Sequence, residues 1–305
     1  MTKIILLFLY ILIIVFGFSV KALFTENGAL DGIVSVISSA EKSVYLSSYS
    51  IDCKEIIDLL NSLNLKGVDV NVIIDDRSIS RAFSAGINFD ISGDKSSYLE
   101  HAKFVVIDEK RVVFGTGNFT YGGLIEDSNS FLVFDDERIA EIFLNFFFSI
   151  KNGSSDINLR EGGYNFFLLP SDEAKDYILN RILKAGESIV FMIYAFTDED
   201  FMTAFKLCES RGIDVEGLVD DWNYDSKLCD YFGDNIFINH NEWLVHDKTI
   251  VIDDEYIITG SANFSKNGWN KNNEIVLFLK SKSLAREYLK HYNYIKGEIL
   301  NENRY

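Results

Sequence analysis

The sequence predicts an α/β protein made of two similar halves, each with a mixed β-sheet flanked by helices. The first observation is a repeat: HAKFVVIDEKRVVFGTGN at residues 101–118 recurs as HDKTIVIDDEYIITGSAN at residues 246–263, without insertion or deletion. The second is that the same offset, 246 − 101 = 145 residues, relates the flanking sequence, where Tyr49 matches Tyr194. The third is that helix-like and strand-like patterns alternate within each copy, which is typical of an α/β layer.

The elements of the first copy follow from its hydrophobic periodicity. Lys54–Leu65 carries leucines at 59, 60 and 63 on one side and predicts an amphipathic helix, whereas Val70–Ile74 is a β-branched run typical of a buried strand. A hairpin around Asp108-Glu109-Lys110 makes the predicted sheet mixed. The full predicted order is helix Leu30–Ala40, strand Val44–Tyr49, helix Lys54–Leu65, strand Val70–Ile74, hairpin strands Lys103–Ile107 and Arg111–Phe114, strand Ser130–Phe134 and helix Glu137–Ile150.

The second copy repeats this scheme, from a helix at Asp172–Ala185 to a last helix around Leu284–Ile299. Between the copies, KNGSSDINLREGG at residues 151–163 is polar and contains glycine, which predicts a linker. The predicted domains are a leader at residues 1–22, a first half at 23–150, the linker at 151–163 and a second half at 164–305.

The composition indicates a folded and strongly acidic protein. The 305 residues are 48% hydrophobic and 25% charged, and they include a single proline, so the chain can bury a sizeable core. The formal charge of −17 is spread along the chain and disfavours loose, charge-driven binding of nucleic acid, although a local basic cleft stays open. Cys53, Cys208 and Cys229 show neither metal-ligand spacing nor a disulfide framework, which predicts buried free thiols.

The amino-terminal segment predicts export. Residues 4–20, IILLFLYILIIVFGFSV, are uncharged and overwhelmingly apolar, which fits either the core of a secretory signal peptide or a short membrane anchor. Val20-Lys21-Ala22 would serve as a cleavage site, with Leu23 as the first residue of the mature chain. The sequence leaves cleavage and retention open. Both predict a catalytic part outside the cytoplasm, either secreted or periplasmic, or anchored to the membrane.

Each copy of the repeat carries the spacing His-x-Lys, four residues, Asp, six residues, Gly-x-x-Asn. If the histidine and the lysine lie on a strand, alternation places both on one face, where burial in an apolar core would be costly. One imidazole, one ammonium and one carboxamide from each half suit the oxygens of a phosphate group. The residues are His101, Lys103, Asp108, Gly115 and Asn118 in the first copy and His246, Lys248, Asp253, Gly260 and Asn263 in the second.

Asp108 and Asp253 each begin a tight turn at the end of the strand predicted to carry the histidine. Aspartate at such a position commonly accepts hydrogen bonds from the backbone of its own turn. This position favours a structural role over a direct chemical one. Gly115 and Gly260 end the next strand, where we expect the chain to turn and to present the asparagines beyond it.

The pattern resembles the paired HKD motifs of the phospholipase D superfamily, and both copies match at every defining position. The resemblance covers the chain after the leader. It implies two α/β halves related by a pseudo-twofold axis, with one active site at their interface, so that a single chain completes the site. It also implies cleavage of phosphodiesters without a metal or another cofactor, through a covalent phosphohistidine.

The resemblance also implies a role for each site residue. His101 is expected to attack phosphorus and His246 to protonate the leaving group, while Lys103, Lys248, Asn118 and Asn263 hold the phosphate oxygens. The family commonly has an acidic or amide residue that orients a histidine, and Glu274 and Asn129 stand at this place in the two copies. A carboxylate favours a charged imidazolium more than an amide does. The sequence does not fix which of the two serves which histidine. His240 and His291 lie outside the motif and are expected to be ordinary surface or partly buried histidines.

Neither fold nor motif specifies the substrate. Phospholipid head groups, with hydrolysis or transfer of the phosphatidyl group, are the leading hypothesis because the leader predicts a membrane location. The aromatic and aliphatic segments Phe119–Ile125 and Phe264–Trp269 could also meet lipid, although Phe119 and Phe264 are better explained as core residues.

An exported nuclease is the main alternative, since Tyr121 and Trp269 could stack bases and a set of basic residues could line a cleft. An inactive membrane-anchored binding protein is the third. The basic set is Arg77, Arg81, Lys95, Lys110, Lys266 and Lys271.

Overall fold

The computed structural model describes residues 20–94, 98–153, 158–161, 163–221 and 231–302. The predicted leader therefore lies outside the described residues except for its last positions, as do Lys95 and Cys229. In these described ranges, no helix is long and apolar enough to cross a membrane.

The first half contains a mixed sheet with helices packed against it. The strand order is β1-β7-β6-β5-β2-β3-β4, in which β2, β3 and β4 are parallel neighbours and the other pairs are antiparallel. Two 3₁₀ turns, at Thr25–Asn27 and Asp76–Ser78, and a short π-helix at Gly122–Glu126 complete this half. The elements are β1 Val20–Phe24, α1 Ala29–Ser38, β2 Ser43–Ser48, α2 Lys54–Leu65, β3 Asp69–Ile74, α3 Ile79–Ser84, β4 Ser92–Gly93, β5 Phe104–Ile107, β6 Arg111–Gly115, β7 Ser130–Asp135 and α4 Glu137–Asn152.

The second half repeats this topology. Its strand order is β12-β11-β10-β13-β14-β15-β9-β8, which is the first sheet read in reverse with β8 added at one edge. The offset of 145 residues also relates β1 to β9, since 20 + 145 = 165 lies in the latter strand. The elements are β8 Asn158–Glu161, β9 Tyr164–Leu169, α5 Asp172–Ile182, β10 Ser188–Ile193, α6 Glu199–Ser210, β11 Asp214–Asp220, β12 Ile236–Asn239, β13 Lys248–Ile252, β14 Tyr256–Gly260, α7 Lys266–Asn270, β15 Glu274–Lys280 and α8 Lys282–Glu302, with a 3₁₀ turn at Gly233–Asn235.

These observations confirm the predicted fold class, with two differences at the domain borders. β1 begins at Val20, inside the range predicted as leader, and pairs with β7. Buried and exposed residues alternate along β1, with Ala22 and Phe24 buried and Lys21 exposed. This pattern is hard to recognise in the sequence because the strand directly follows the apolar run. β8 occupies part of the predicted linker, because this edge strand is mostly polar and reads as a loop.

Three large hydrophobic clusters hold the layers together. One packs the outer face of the first sheet against α1 and α2, and another packs the outer face of the second sheet against α5 and α6. The middle cluster takes side chains from both sheets and from α4 and α8, including Phe104, Phe143, Val251 and Tyr288. Because this core is shared, the two halves form one folding unit rather than two independent domains. Cys53 and Cys208 are buried free thiols, as predicted.

Local sequence explains how the repeated hairpins form. Asp108 and Glu109 have φ of 51° and 56°, and Asp253 and Asp254 both have φ of 53°. Two consecutive residues with positive φ are the signature of a type I′ turn, which matches the twist of the flanking strands and tolerates aspartate. The turns bring β6 beside β5 and β14 beside β13, so both halves of the repeat have the same register.

Candidate active site

The two motif histidines lie in extended segments just before β5 and β13, not on the strands as the sequence suggested. Each segment pairs with the other half of the chain. The His101 backbone N–H donates to the Asn273 carbonyl at 2.9 Å, and the His246 N–H donates to the Ser128 carbonyl at 3.0 Å. Because 273 − 128 = 145, these two crossings are related by the repeat.

The return hydrogen bonds complete each crossing. The Asn273 N–H donates to the Leu99 carbonyl at 2.9 Å, and the Ser128 N–H donates to the Leu244 carbonyl at 2.8 Å. Isolated bridges between Glu100 and Asn273 and between Ser128 and Val245 mark the same places. Two reciprocal backbone contacts therefore bring both histidines to one interface between the halves.

Each histidine is oriented by a side chain of the opposite half. His101 Nδ1 lies 2.7 Å from Glu274 Oε1, and His246 Nδ1 lies 3.0 Å from Asn129 Oδ1. The Asn129 Nδ2 donates to the Gly123 carbonyl at 3.1 Å, so its oxygen faces the imidazole and Nδ1 of His246 is the donor. The sequence left this pairing open, and the structure pairs the carboxylate with His101 and the amide with His246.

The two motif lysines are buried beneath the histidines. Lys103 has no exposed surface and Lys248 is 1% exposed. The Lys103 Nζ donates to the His101 carbonyl at 2.5 Å, and the Lys248 Nζ donates in the same way to the His246 carbonyl. Each ammonium is thus fixed by its own motif, with donors left over for a ligand.

Burial shifts the pKa of all four groups downward, and like charge adds to this shift for both histidines and for Lys248. Burial is the largest cause for both histidines, whose pKa lies well below 6.5, and the positive charges of Lys103 and Lys248 add to it. Burial also lowers the pKa of Lys103 to about 8 and that of Lys248 well below its usual value. The charges of Lys103 and Lys248 act on both His101 and His246, which indicates a single cluster. Both imidazoles are neutral at pH 7.

Glu274 is completely buried beside His101. Burial raises its pKa to about 8, against the opposing effect of the Lys103 charge. Glu100 is equally buried, with a pKa raised to about 8 mainly by burial, and accepts from the Ser47 hydroxyl at 2.8 Å. Its counterpart at the repeat offset is Val245, so only the first half has this additional acid. Sequence reasoning missed Glu100, although this difference between the copies was visible.

Asn118 and Asn263 lie at the ends of the hairpins that follow the histidines. In the described part of the chain, neither buried carboxamide oxygen has a hydrogen-bond partner. Gly123 and Gly268 stand behind them, and a Cβ at either would lie 2.4 or 2.3 Å from the carbonyl oxygen of the asparagine. These close approaches keep both asparagines against the short helices that follow. Their predicted contact with phosphate remains a prediction.

Gly115 and Gly260 end β6 and β14, and the chain bends directly after each of them, as expected. A Cβ at Gly115 would lie 2.4 Å from the Ser130 carbonyl, and one at Gly260 would lie 2.1 Å from the Ile275 carbonyl. Both positions also require glycine because the next strand passes so close, which the sequence did not predict.

Asp108 and Asp253 point away from the chemistry. The Asp108 carboxylate accepts backbone N–H bonds from residues 41, 42 and 43 at 2.9, 2.7 and 2.9 Å. Asp253 accepts from residues 186, 187 and 188 at 3.0, 2.7 and 3.0 Å. The geometry supports the predicted structural role, but the donors belong to the loop before β2 or β10 rather than to the hairpin itself.

Two further pairs of residues lie beside the histidines, although no role at the site was predicted for them. Asp75 accepts from the Glu100 N–H at 3.1 Å, and Asp220 accepts from the Val245 N–H at 3.0 Å, so each fixes the backbone one residue before a histidine. Tyr49 and Tyr194 lie against His101 and His246, with ring centroids 5.8 and 4.8 Å apart. All four residues match at the repeat offset, which was the signal that could have identified them.

Several residues outside the motifs are placed differently from the expectations. Trp269 is 1% exposed and packs against Phe201 and Phe264, so it cannot stack a base or meet lipid. Phe119 and Phe264 are core residues, as favoured. His240 is exposed. His291 was expected to be at most partly buried, but its side chain is fully buried between two carboxylates.

The basic residues proposed as a cleft are mostly ion-paired. Arg81 pairs with Asp52, Arg77 contacts Asp75 at 3.3 Å, and Lys110 at a hairpin tip lies 3.7 Å from Glu137. Lys271 lies over the ring of Tyr98, 5.6 Å from its centroid. Among the described side chains, no group of three or more histidine, cysteine, aspartate or glutamate residues could hold a metal ion. The independence from metal stays a prediction.

Comparison with known proteins agrees with this geometry. The sequence model of a family described as "Cardiolipin synthase, PLD-like domain" matches residues 33–151 and again 178–296, and 178 − 33 gives the same offset of 145. A protein named phospholipase D from Rickettsia prowazekii is 27% identical over 136 residues, which cover 43% of this chain and 66% of that protein. The match thus spans just under two thirds of this relative.

Two further relatives cover most of the chain. A cardiolipin synthase from Clostridium perfringens is 22% identical over 321 aligned positions, covering 86% of this chain and 67% of that protein. The crystal structure of phosphatidylserine synthase from Haemophilus influenzae superimposes with a TM-score of 0.72 at 16% identity, covering 91% of this chain and 86% of that one, which shows a shared fold. The names of the relatives support a phosphodiesterase-type enzyme. With both halves matched by the family model, this chain belongs to the phospholipase D-like family described as "Cardiolipin synthase, PLD-like domain".

Proposed function

We propose that the chain is a metal-independent phosphodiester hydrolase of the phospholipase D type that acts on phospholipid head groups through a covalent phosphohistidine. The observation that carries this proposal is the reciprocal pairing at the interface. Two neutral imidazoles, His101 buried and His246 half-buried, share one cluster with two buried lysines, and each imidazole is oriented through Nδ1 by the other half. With Nδ1 engaged, Nε2 of each ring is the atom left for chemistry.

In the first step, His101 Nε2 attacks phosphorus and forms a P–N bond while the P–O bond to the head-group alcohol breaks. His246, which is neutral in the free enzyme, takes up a proton from solvent at Nε2 when the anionic substrate binds, and it then gives this proton to the leaving oxygen as general acid. In the second step, His246 takes a proton from water, the resulting hydroxide attacks phosphorus, and the P–N bond breaks to restore His101. An alcohol in place of water would transfer the phosphatidyl group instead.

The difference between the two orienting residues supports this assignment. His101 becomes positively charged when it is phosphorylated. Burial raises the pKa of Glu274 to about 8 in the free enzyme, but the charge on His101 favours its ionisation, and the resulting carboxylate, 2.7 Å from Nδ1, stabilises that charge. His246 must release its proton in the first step, and the neutral carboxamide of Asn129 does less to stabilise the protonated ring. Glu274 therefore favours His101 as the nucleophile, and Asn129 favours His246 as the acid.

The remaining charges suit the transition state. Lys103 and Lys248 are held in place before substrate arrives, so they stabilise the developing charge on the non-bridging oxygens without reorganisation. Asn118 and Asn263 are proposed to donate to the same oxygens. A bound anion would also favour the charged lysines and the protonated His246.

Three features support a lipid substrate. The relatives are named as enzymes of phospholipids. Exposed aromatic side chains flank the segments that carry the site, with Tyr98 47% and Tyr121 52% exposed. The net charge of −17 disfavours a long binding groove for a polyanion such as nucleic acid.

Residues 4–20 are the basis for proposing that the enzyme works at or beyond a membrane. We also propose that one chain is sufficient to form the site.

A nuclease of the same superfamily is the second candidate. The specific observation in its favour is Tyr121, which is exposed on the segment after Asn118 and could stack a base. The ion pairs of Arg77, Arg81 and Lys110 argue against a continuous basic groove.

The deciding experiment is a substrate comparison in EDTA. Purified protein is incubated with phosphatidylcholine or phosphatidylethanolamine vesicles, with single-stranded DNA and RNA, and with bis-p-nitrophenyl phosphate. We expect release of choline or ethanolamine, lost in the His101→Ala protein and kept in a His240→Ala control. Cleavage of nucleic acid alone would support the nuclease. Turnover of none of these substrates would contradict an active phosphodiesterase.

A further inference from the structure

A third histidine forms a buried ionic cluster behind the second motif. His291 lies on α8 with no exposed side-chain surface. Its Nδ1 lies 2.8 Å from Glu26 Oε1, and its Nε2 lies 3.0 Å from Asp247 Oδ2. Asp247 is the residue between His246 and Lys248 in the motif and is itself fully buried. Glu26 belongs to the first half and the other two residues to the second, so the cluster crosses the interface.

The cluster carries a definite charge state. Burial alone would lower the pKa of His291, but Asp247 and Glu26 raise it to about 9. Burial alone would raise the pKa of Asp247, but His291 and the Ser128 hydroxyl bring it below 3.8. At neutral pH an imidazolium is therefore held between two carboxylates. We call Glu26, His291 and Asp247 the ionic clamp.

Ser128 connects the clamp to the acid histidine. Its hydroxyl donates to Asp247 Oδ2 at 2.5 Å, its carbonyl accepts the His246 N–H at 3.0 Å, and the next residue, Asn129, holds the His246 ring. The clamp thus holds Ser128 in place. The carbonyl of Ser128 and the side chain of the next residue, Asn129, determine where the His246 imidazole lies.

The first half has no such clamp at the equivalent positions. The offset of 145 relates Asp247 to Ala102 and His291 to Phe146, both fully buried and apolar. It relates Glu26 to Ser171, which instead caps α5 by accepting from the Ala174 N–H. One half of the repeat therefore packs an apolar pair where the other packs an ion pair.

A purely structural explanation does not account for this difference. A buried ion pair is often no more stable than apolar residues of similar volume, and the first half shows that this fold accepts them. What distinguishes the two sides is the orienting bond. His101 is held by a carboxylate at 2.7 Å, and His246 is held by a neutral amide at 3.0 Å.

We propose that the ionic clamp is a set of positioning residues that locks His246 onto Asn129 and so keeps the general acid aimed at the leaving group. This inference rests on the proposed function. It assigns His291, Asp247 and Glu26 a role through Ser128 rather than contact with substrate.

The test copies the first half into the second. The double variant Asp247→Ala, His291→Phe recreates the Ala102–Phe146 pair, which keeps a well-packed interior. We expect kcat on a choline phosphodiester to fall about 10–100-fold with KM changed less than about threefold, because a small displacement of a catalytic group is costly. With a p-nitrophenyl leaving group, which needs little protonation, the rate of the first-turnover burst of p-nitrophenol should stay within about threefold of wild type, because this burst reports the first step and not the activation of water by His246.

Lys296→Met is the matched control. It removes the 2.7 Å ion pair with Glu216 that also anchors α8, but it leaves Ser128 untouched, and kcat should not change for either substrate. Equal losses for both leaving groups in the double variant, or full activity with choline, would overturn the proposal. So would a loss in Lys296→Met as large as that in the double variant.

A second readout does not depend on turnover. The chain has four histidines, so ¹⁵N-histidine NMR resolves the imidazoles individually. In the wild type, His291 should be doubly protonated at pH 7.5, and the His246 Nδ1–H should be protected from exchange. In the double variant, that protection should fall while the His101 signals stay the same. Unchanged His246 protection would contradict the clamp even if the wild type proved inactive on every substrate, an outcome that would count separately against the proposed function.

Discussion

His101 and His246 have the same side chain and the same place in the repeat, but their partners make them chemically different. Glu274 offers a carboxylate to one Nδ1–H and Asn129 offers a carboxamide oxygen to the other. Because the two partners differ in charge, they stabilise a charged imidazolium to different extents. The symmetry of the site is therefore broken at Glu274 and Asn129, and the proposed division into nucleophile and acid rests on this difference.

Exchanging these two partners tests the division. Glu274→Gln should lower kcat about 10–100-fold for every leaving group, because a charge-assisted hydrogen bond is worth about 1.5–3 kcal/mol. Asn129→Asp should slow only substrates with poor leaving groups, because a carboxylate weakens His246 as an acid. The measurement is kcat across a series of aryl and alkyl phosphodiesters. The opposite pattern would make His246 the nucleophile.

The pH profile follows from the shifted pKa values. His101 must be neutral to attack, and its pKa is lowered, so its protonation should reduce kcat/KM only as pH drops below 6.5. His246 must be protonated to act as an acid, and its pKa in the free enzyme is also lowered, so kcat/KM should already decline as pH rises above 6.5. Lys103 must be charged, and its pKa is lowered to about 8, so kcat/KM should fall again as pH rises through about 8. A choline substrate avoids titration of the head group. A half-loss above pH 6.5 on the acid side, or a plateau up to pH 10, would contradict this account.

At the residue scale, the spacing of the repeat identified the two histidines and two lysines that form one cluster at the interface, whereas the role of Asn118 and Asn263 stays a prediction. Comparison of the two copies marks Glu100 and Asp75 as positions of interest, but the roles of these residues and of His291 depend on which backbone groups and side chains lie beside them in three dimensions. His291 was misjudged for this reason, since a lone histidine in a helix gives no sign of two carboxylates that are distant in sequence.

At the scale of elements, the hairpin aspartates act as anchors between elements. Burial alone would raise the pKa of Asp108, but the backbone N–H donors of residues 41–43 lower it below 3.8. This carboxylate is what joins the β5–β6 turn to the loop before β2. The last letter of the HKD motif therefore belongs to the scaffold.

Asp108→Asn should cost stability rather than chemistry. Asparagine tolerates the positive φ but accepts fewer and weaker hydrogen bonds, so the free energy of unfolding should fall by about 1–3 kcal/mol. The kcat of the folded protein should stay within about threefold, and Asp253→Asn should behave alike. Because the folded pKa is lowered, the stabilisation should be present above pH 3.8 and lost as pH falls through the folded value. Urea unfolding measures the stability. A large loss of kcat at unchanged stability would mean a direct catalytic role.

Periodicity predicted most elements to within a few residues, and the exceptions have a common cause. Lys54–Leu65 is a helix with the predicted bounds. β1 and β8 were missed because each is a short edge strand whose local sequence resembles its surroundings, apolar before β1 and polar around β8. The histidine segments were assigned to strands, although their partners are in the other half rather than in the adjacent strand.

At the scale of the whole molecule, the halves are interlocked. The middle core contains side chains of both, and each histidine has its backbone and ring partners in the opposite half. The sequence could predict a pseudo-twofold axis from the duplication and the family resemblance. It could not predict that the orienting residues cross the axis, because crossing and non-crossing arrangements have the same spacing along the chain.

Cutting the chain between the halves tests this interlocking. A protease site inserted after Gly153 lies beyond the end of α4. After cleavage, we expect the fragments to remain together on size exclusion, because the shared core is large and apolar, and to keep at least about half of the activity. The association of the fragments and the activity should both be lost only in denaturant. Separation of the fragments in buffer, or activity in an isolated fragment, would contradict a site shared between the halves.

The most direct test of the central claim is to locate the covalent intermediate. The enzyme is mixed with a p-nitrophenyl phosphodiester, quenched in base within milliseconds, digested and examined by mass spectrometry for a phosphodiester-bearing histidine. The account predicts the adduct on His101 in the wild type, more of it in His246→Ala, where water is no longer activated, and none in His101→Ala. An adduct on His246, or no adduct in a protein that turns over, would contradict it.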